Sequence, residues 1–387
     1  MSSRHHTYRI LGLLAGLMTL ASCQWRELDY DYIDTARFTL IYDWSRSSLR
    51  GNDPQTMAGT GGTVQPGDPI NGRTAAFYPE DGSAPIIRMS HSDTMNVNLL
   101  VGKYRAVFFN ETFDDFDNIR FYGTDYFDDL EAALKEDLSS GAGARAGNLI
   151  AREPDILAVE TMIPFEVTEE MVLYTRAMET RNTKSLSDMM GAAAMKKVEE
   201  SLTVTARPRD VVYPVSVDVV VYGMDNIASA GAYITGFSGG FDFSTGRSAK
   251  SSVTHKVTFS ERVYAPGSTT DGSMRGTFTS FGLRNELGSS KAGDDDTRAE
   301  LTDYTFEFRA VLINGEVFTE IRSINNLITE VSRDGRLTIK IEVGQNLSGT
   351  DVDPPIKIPD VEPVGSEDGM WQVNVGDWEE VVVPIGF

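Results

Sequence analysis

Cys23 is the only cysteine among 387 residues. A chain with one thiol cannot close a disulfide on itself, so its stability has to come from buried apolar cores. The length suggests two such domains rather than one. Acidic residues number 57 against 35 lysines and arginines, and the formal net charge is −22. A surface of that sign repels nucleic acid and anionic lipid headgroups and keeps a protein well solvated. No nucleic-acid partner is expected.

The position of the cysteine narrows the reading further. Arg4 and Arg9 form a positive head, Ile10 to Leu20 is largely apolar, and Ala21 and Ser22 are small. That is the layout of an export signal, too short to span a bilayer as a helix. Leu20-Ala21-Ser22-Cys23 resembles the lipobox of bacterial lipoproteins. The resemblance implies a signal peptide over 1–22, cleavage before Cys23, and acylation of its sulfur and new amino group. The thiol is then an anchor, neither nucleophile nor disulfide partner. Each buried CH₂ adds only about 0.8 kcal/mol, so firm attachment takes several acyl chains, as this class carries. The acidic residues Glu27, Asp29, Asp31 and Asp34 resemble the outer-surface export signal of Bacteroidetes lipoproteins; a solvated tether is the plainer alternative. The expected location is the outer membrane, on the cell surface. Beyond the signal, no apolar run reaches transmembrane length.

Strand patterns dominate the rest. Phe38, Leu40, Tyr42 and Trp44 alternate with polar residues over Ala36–Trp44, the period of a half-buried strand. A Gly/Pro/Thr-rich loop follows over Gly51–Gly72. Further strands are expected at Thr74–Tyr78, Pro85–Met89, Asn96–Leu100, Tyr104–Asn110, Ile119–Tyr122, Asp155–Val159 and Ile163–Val167. Asp125–Leu138 reads as a short helix with Leu130 and Leu134 on one face. Helical spacing also fits Ser185–Leu202, whose Met-rich face is read as packing. Pro208 ends that region and sets an expected boundary between an N-terminal domain, 23–207, and a C-terminal domain, 208–387. In the second half Val211–Tyr222 reads as strand, with Pro214 marking an edge or an irregularity. Asn314-Gly315 between alternating runs predicts a tight hairpin with both residues at positive φ. A second hairpin is expected across Arg333-Asp334-Gly335. Many short strands with frequent turns mean β-sandwich.

Candidate chemistry is sparse. After Cys23 the histidines are His91 and His255, and no His-Glu-x-x-His occurs. Gly236-Phe-Ser238-Gly-Gly240 fits a nucleophile-elbow pattern, and Asp242 and His255 would follow in triad order. That elbow needs a helix after the serine, whereas Phe241–Thr245 alternates like a strand, so a glycine-rich turn or bulge is the better reading. The acidic clusters at Asp114–Asp117, Asp128-Asp129 and Asp294–Asp296 lack the EF-hand pattern and read as solvated faces. Trp25, Trp44, Trp371 and Trp378 include aromatics suited to a sugar platform, although Trp44 and Trp371 sit in alternating strands and read as core. No catalytic residue, metal or cofactor is expected.

Leu99-Leu-Val-Gly102-Lys-Tyr104-Arg-Ala-Val-Phe-Phe109-Asn110 resembles a Gly-x-Tyr strand of fimbrillin-like N-terminal domains. Asn118–Phe121, Glu153–Leu157, Asp225–Ile227 and Ile234–Gly236 are similar, in order and spacing, to Bacteroidales lipoproteins related to fimbrillins. The resemblance implies two transthyretin-like β-sandwich domains with one or two short helices. It implies a fimbrial subunit, tip or anchor with a role in adhesion, whose partners are other subunits joined by strand addition, and host or bacterial surface ligands. It also implies that an arginine-specific protease can cut after the first strand, which here points to Arg46 or Arg50. Strand addition makes Trp371–Phe387 either a donor strand or the closing strand of its own domain. The alternative function is a glycan-binding surface lipoprotein of a polysaccharide-uptake system.

Overall fold

The computed structural model describes residues 35–50, 72–135, 150–181, 183–284, 304–333, 336–345 and 353–363. Expectations that fall on Cys23, on Glu27 to Asp34, on Asp294–Asp296 and on Trp371–Phe387 lie outside the described residues. The protein is mostly β, and among the described residues the α-helices, three of them, all fall between Glu169 and Ser201. No helix among the described residues is long and apolar enough to cross a membrane. The chain divides into two compact units.

The described part of the smaller unit comprises residues 35–38, Asn96–Gly102 and Glu166–Leu202. It contains helices α1 (Glu169–Glu179), α2 (Thr183–Met190) and α3 (Ala192–Ser201). Thr168 enters α1 in extended conformation, and Glu169 and Glu170 lie in its first turn. There they meet the positive end of the helix dipole. The backbone N–H of Arg37 donates to Thr175 Oγ1 at 3.1 Å. The helix expected over Ser185–Leu202 is two helices. Gly191 breaks it at φ +82, a conformation that L-residues avoid. Leu186 and Leu202 pack as expected, but Met189 is 64% exposed, so the methionine face is not core.

The described part of the larger unit lies within residues 39–95, 103–165 and 203–363. Its main sheet path runs Val317–Ser323, Thr305–Leu312, Ile227–Ser238, Ser252–Tyr264, Gly272–Ser280, Tyr213–Tyr222, Arg336–Val343, Ile328–Arg333. The first and last strands of this path are joined by residues 324–327 alone, so the path folds back over itself as a sandwich. Every second residue of Val215–Val221, Phe306–Leu312 and Ile339–Val343 is buried in the layer between. That is the strand period of two at work.

Pro214 does not make its strand an edge strand, although at Pro214 itself the ladder has a partner on one side only. The Tyr213–Tyr222 strand is inner, paired antiparallel with Gly272–Ser280 and parallel with Arg336–Val343. The parallel pairing begins at Val215, so the missing N–H of Pro214 costs that ladder nothing. The Asn314-Gly315 hairpin is present, but only Gly315 has positive φ, at +82. Gly315 N–H donates to Leu312 O, and Leu312 N–H to Glu316 O, both at 2.8 Å. This is a three-residue loop with glycine at its left-handed position. The hairpin across residues 334–335 also forms.

Of the helix expected over Asp125–Leu138, the described residues, to Lys135, are not α-helical. A single 3₁₀ turn, Phe127–Asp129, leads into strand Glu131–Leu134. Leu130, Ala132 and Leu134 are all buried, and their spacing of two is what a strand requires. That strand pairs with Gly240–Asp242 and Ile119–Tyr122. It therefore joins residues from both sides of the boundary expected at 208, and Pro208 itself lies between strands Thr203–Ala206 and Arg209–Asp210 within the larger unit.

Candidate functional site

The first strand, Thr35–Tyr42, buries Ala36, Phe38, Leu40 and Tyr42 to 4% exposure or less. It is the middle strand of a three-stranded sheet, between Thr94–Leu100 and Thr203–Ala206, and from Thr39 to Tyr42 it pairs in parallel with the latter. Its neighbour in that ladder is thus not its neighbour in sequence. The strand is a separate element laid into the fold, with no tight hairpin tying it to this partner.

Its C-terminal end is fixed by polar groups. Tyr42 N–H donates to Asp93 O at 2.8 Å, and Tyr42 Oη donates to Thr74 O at 2.7 Å. Burial pushes the Tyr42 phenol far above its ordinary range, and nearby Arg73 offsets only a little of that. The Tyr42 ring stacks on Trp44 at 5.5 Å and meets the Phe108 edge at 6.2 Å. Trp44 is 4% exposed, in keeping with a core role. Its Nε1–H donates to Asp93 Oδ1 at 3.0 Å. The same oxygen accepts from Arg73 Nε at 2.9 Å and Nη2 at 2.6 Å. Arg73 is 3% exposed, so this ion pair is worth most as a completed network.

The chain then turns through two 3₁₀ segments, Trp44–Arg46 and Ser48–Arg50. Asp43 caps the first by accepting from Ser45 N–H at 3.1 Å, and Arg207 Nε donates to its other oxygen at 3.0 Å. The bonds from Ser45, then Arg207, hold the Asp43 carboxyl below the usual carboxylate range. Arg46 is exposed, but Ser47 is only 1% exposed. The Ser47 hydroxyl donates to Asp210 Oδ1, and Ser48 N–H donates to Asp210 Oδ2 at 2.9 Å. Leu49 N–H donates back to Ser47 Oγ at 3.2 Å. Of the two arginines singled out in the sequence, Arg46 is thus accessible at its side chain and pinned just beyond it. Arg50 closes the second turn.

The other candidates do not assemble. Ser238 is fully buried, and its hydroxyl lies 2.8 Å from Gly240 O and 2.9 Å from Ala249 O, both backbone carbonyls. Neither ring nitrogen of His255 has a hydrogen-bond partner. Burial lowers the His255 pKa to about 3. Asp242 instead accepts from Ser244 and Thr245 in its own turn. Ser238, Asp242 and His255 are therefore not linked as a triad. His91 is exposed, and among the described residues no group of three or more His, Cys, Asp or Glu is placed to hold a metal. In the acidic clusters Asp128 pairs with Arg105, and Asp115 accepts from Thr112 N–H at 3.3 Å. Sequence reasoning missed Asp93 and Asp210. Their contacts lie 49 and 163 positions from their partners, and no local pattern marks them.

A family model described as Domain of unknown function (DUF5119) matches residues 63–259, about half of the chain. Among solved structures, a candidate adhesin from Bacteroides ovatus superposes with a TM-score of 0.54 at 16% identity, covering 88% of this chain and 98% of its own. A second candidate adhesin, from Bacteroides thetaiotaomicron, gives 0.38 at 12% identity, with 76% and 82% covered. The fimbrial anchor protein Mfa2 from Porphyromonas gingivalis gives 0.37 at 13% identity, with 79% and 95% covered. The first of these likenesses shows a shared fold. No curated protein matches the chain in sequence.

Proposed function

Because the chain belongs to the family described as Domain of unknown function (DUF5119), whose name leaves its role open, we propose that role from the fold and the first strand. The protein is a cell-surface structural component of a fimbria, a subunit, tip or anchor, with a part in adhesion. The observation that carries this reading is the first strand, whose buried side chains fill the fold and whose two sheet neighbours, Thr94–Leu100 and Thr203–Ala206, are both distant in sequence. Such a strand can be lent, lost or replaced, which is the basis of assembly by strand addition. Each large side chain on its inner face contributes roughly 2 kcal/mol by burial, so a vacated position strongly favours another strand. The fold shared with the Bacteroides ovatus candidate adhesin supports the reading.

In this proposal Cys23 is acylated and holds the protein at the outer membrane. Arg46 and Arg50 mark the places where an arginine-specific protease would separate the first strand from the body. The chemistry is non-catalytic, in line with a Ser238 hydroxyl bound to backbone carbonyls. Two experiments test it. Deleting the gene should strip or shorten surface fimbriae seen by electron microscopy; unchanged fimbriae together with lost growth on a polysaccharide would favour the glycan-binding alternative. Cys23→Ser should abolish palmitate labelling and release the protein from the membrane fraction. Continued labelling of the mutant would refute the anchor.

A further inference from the structure

Arg46 offers a protease an exposed side chain on a segment that the fold does not let extend. We infer that the Arg46–Ser47 bond is a gated processing site and that Asp210 is the clasp that gates it. The inference rests on the proposed processing of the first strand, but its physical content is independent of any fimbrial role.

A protease acting after arginine needs several residues on both sides of the bond drawn out into its cleft. Hydrolysis adds one water across the Arg46 C–Ser47 N bond, leaving a carboxylate on Arg46 and an amino terminus on Ser47. On the leading side, Trp44 is 4% exposed and bonded to Asp93, and Asp43 caps the turn. On the trailing side, Ser47 is 1% exposed. Both carboxylate oxygens of Asp210 are engaged there, one by the Ser47 hydroxyl and the other by Ser48 N–H. Ser47 Oγ also accepts from Leu49 N–H, so the residues following the bond are folded around one carboxylate. Asp210 is itself set in a strand, Arg209–Asp210, paired with Ala158 and Val159. The clasp is therefore anchored in a sheet, whereas what it holds is a surface turn. Cutting must wait for local opening, and its rate follows the population of the open turn. The fold keeps its first strand attached by default and releases it only where something opens the clasp.

Limited proteolysis of the purified folded protein with trypsin, read by mass spectrometry for a new terminus at Ser47, tests this. The wild type should be cut after Arg46 slowly. Asp210→Ala should be cut there roughly ten- to a hundredfold faster, the loss expected from two hydrogen bonds to a charged group. Ser47→Ala should show a smaller rise, because Ser48 N–H keeps its acceptor, and it decides the matter where Asp210→Ala does not fold. The rate of cutting after Arg275, which lies in the Gly272–Ser280 strand, reports global unfolding and should stay at its wild-type value. Equal rates at Arg46 in the wild type and both variants, or rises matched at Arg275, would overturn the clasp. Neither result touches the fimbrial reading, which the gene deletion tests separately.

Discussion

At the end of the first strand, Trp44, Arg73 and Ser47 all place their polar atoms on a carboxylate, Asp93 or Asp210. Around Phe237 the opposite holds. His255 is 1% exposed, lies 4.7 Å from the Phe278 ring and 5.9 Å from the Phe237 ring, and has no partner for either ring nitrogen. Both places bury polar side chains, yet they behave as different materials. The first is a network whose weakness is the removal of a member. The second is a core that tolerates an imidazole only while it stays neutral. Networks of the first kind suit a boundary that must hold until it is deliberately opened. Packing of the second kind suits a body that never opens.

The largest break in this comparison is Asp93→Ala. It removes the carboxylate from a nearly buried arginine and from Trp44 together, and should cost about 3 kcal/mol in a urea titration. A cost near zero would mean that the strand end is held by apolar packing alone.

His255→Leu probes the other region through pH. A histidine whose folded pKa is depressed to about 3 binds fewer protons folded than unfolded below its ordinary pKa of 6.5. Proton binding therefore takes nothing from stability above pH 6.5, and stability falls as the pH drops from there toward 3. Between pH 6.5 and 5 this histidine accounts for about 2 kcal/mol of lost stability, at 1.36 kcal/mol per unit. Melting curves of His255→Leu should lack that part of the acid limb, whatever the variant's stability at neutral pH. An unchanged slope would show that His255 finds a proton partner.

Ser238→Ala has the smallest effect. It removes a buried hydroxyl that serves the neighbouring backbone turn, at about 1 kcal/mol, and should leave the pH profile unchanged. Loss of an ester-hydrolysing activity in that variant would reopen the elbow reading.

The two regions were also unequally legible in sequence. Alternation of Phe38, Leu40 and Tyr42 marks the first strand, because burial on one face writes itself at period two, whereas Trp44, which continues the alternation, opens a 3₁₀ turn beyond the strand's end. The Asn314-Gly315 turn was legible for the same local reason, although only Gly315 takes the left-handed conformation. Leu130 and Leu134 misled because a spacing of four suits a helix and a strand alike; the buried Ala132 between them is the strand's mark. Helix α1 was overlooked despite Thr168 followed by Glu169 and Glu170, a start signal that outweighs its modest apolar face. Asp93 and Asp210 left no trace, since a carboxylate that closes a contact across the fold looks in sequence like any solvated acid.

A boundary held in this way keeps the first strand attached until its polar clasp opens, and then yields after Arg46. Intact mass and N-terminal sequencing of protein extracted from the cell surface, wild type beside Asp210→Ala, read this out. Opening the clasp should raise the share of chains that begin at Ser47, at the expense of chains that still carry Thr35–Tyr42. An equal share in the two proteins would mean that Asp210 does not hold the strand in place.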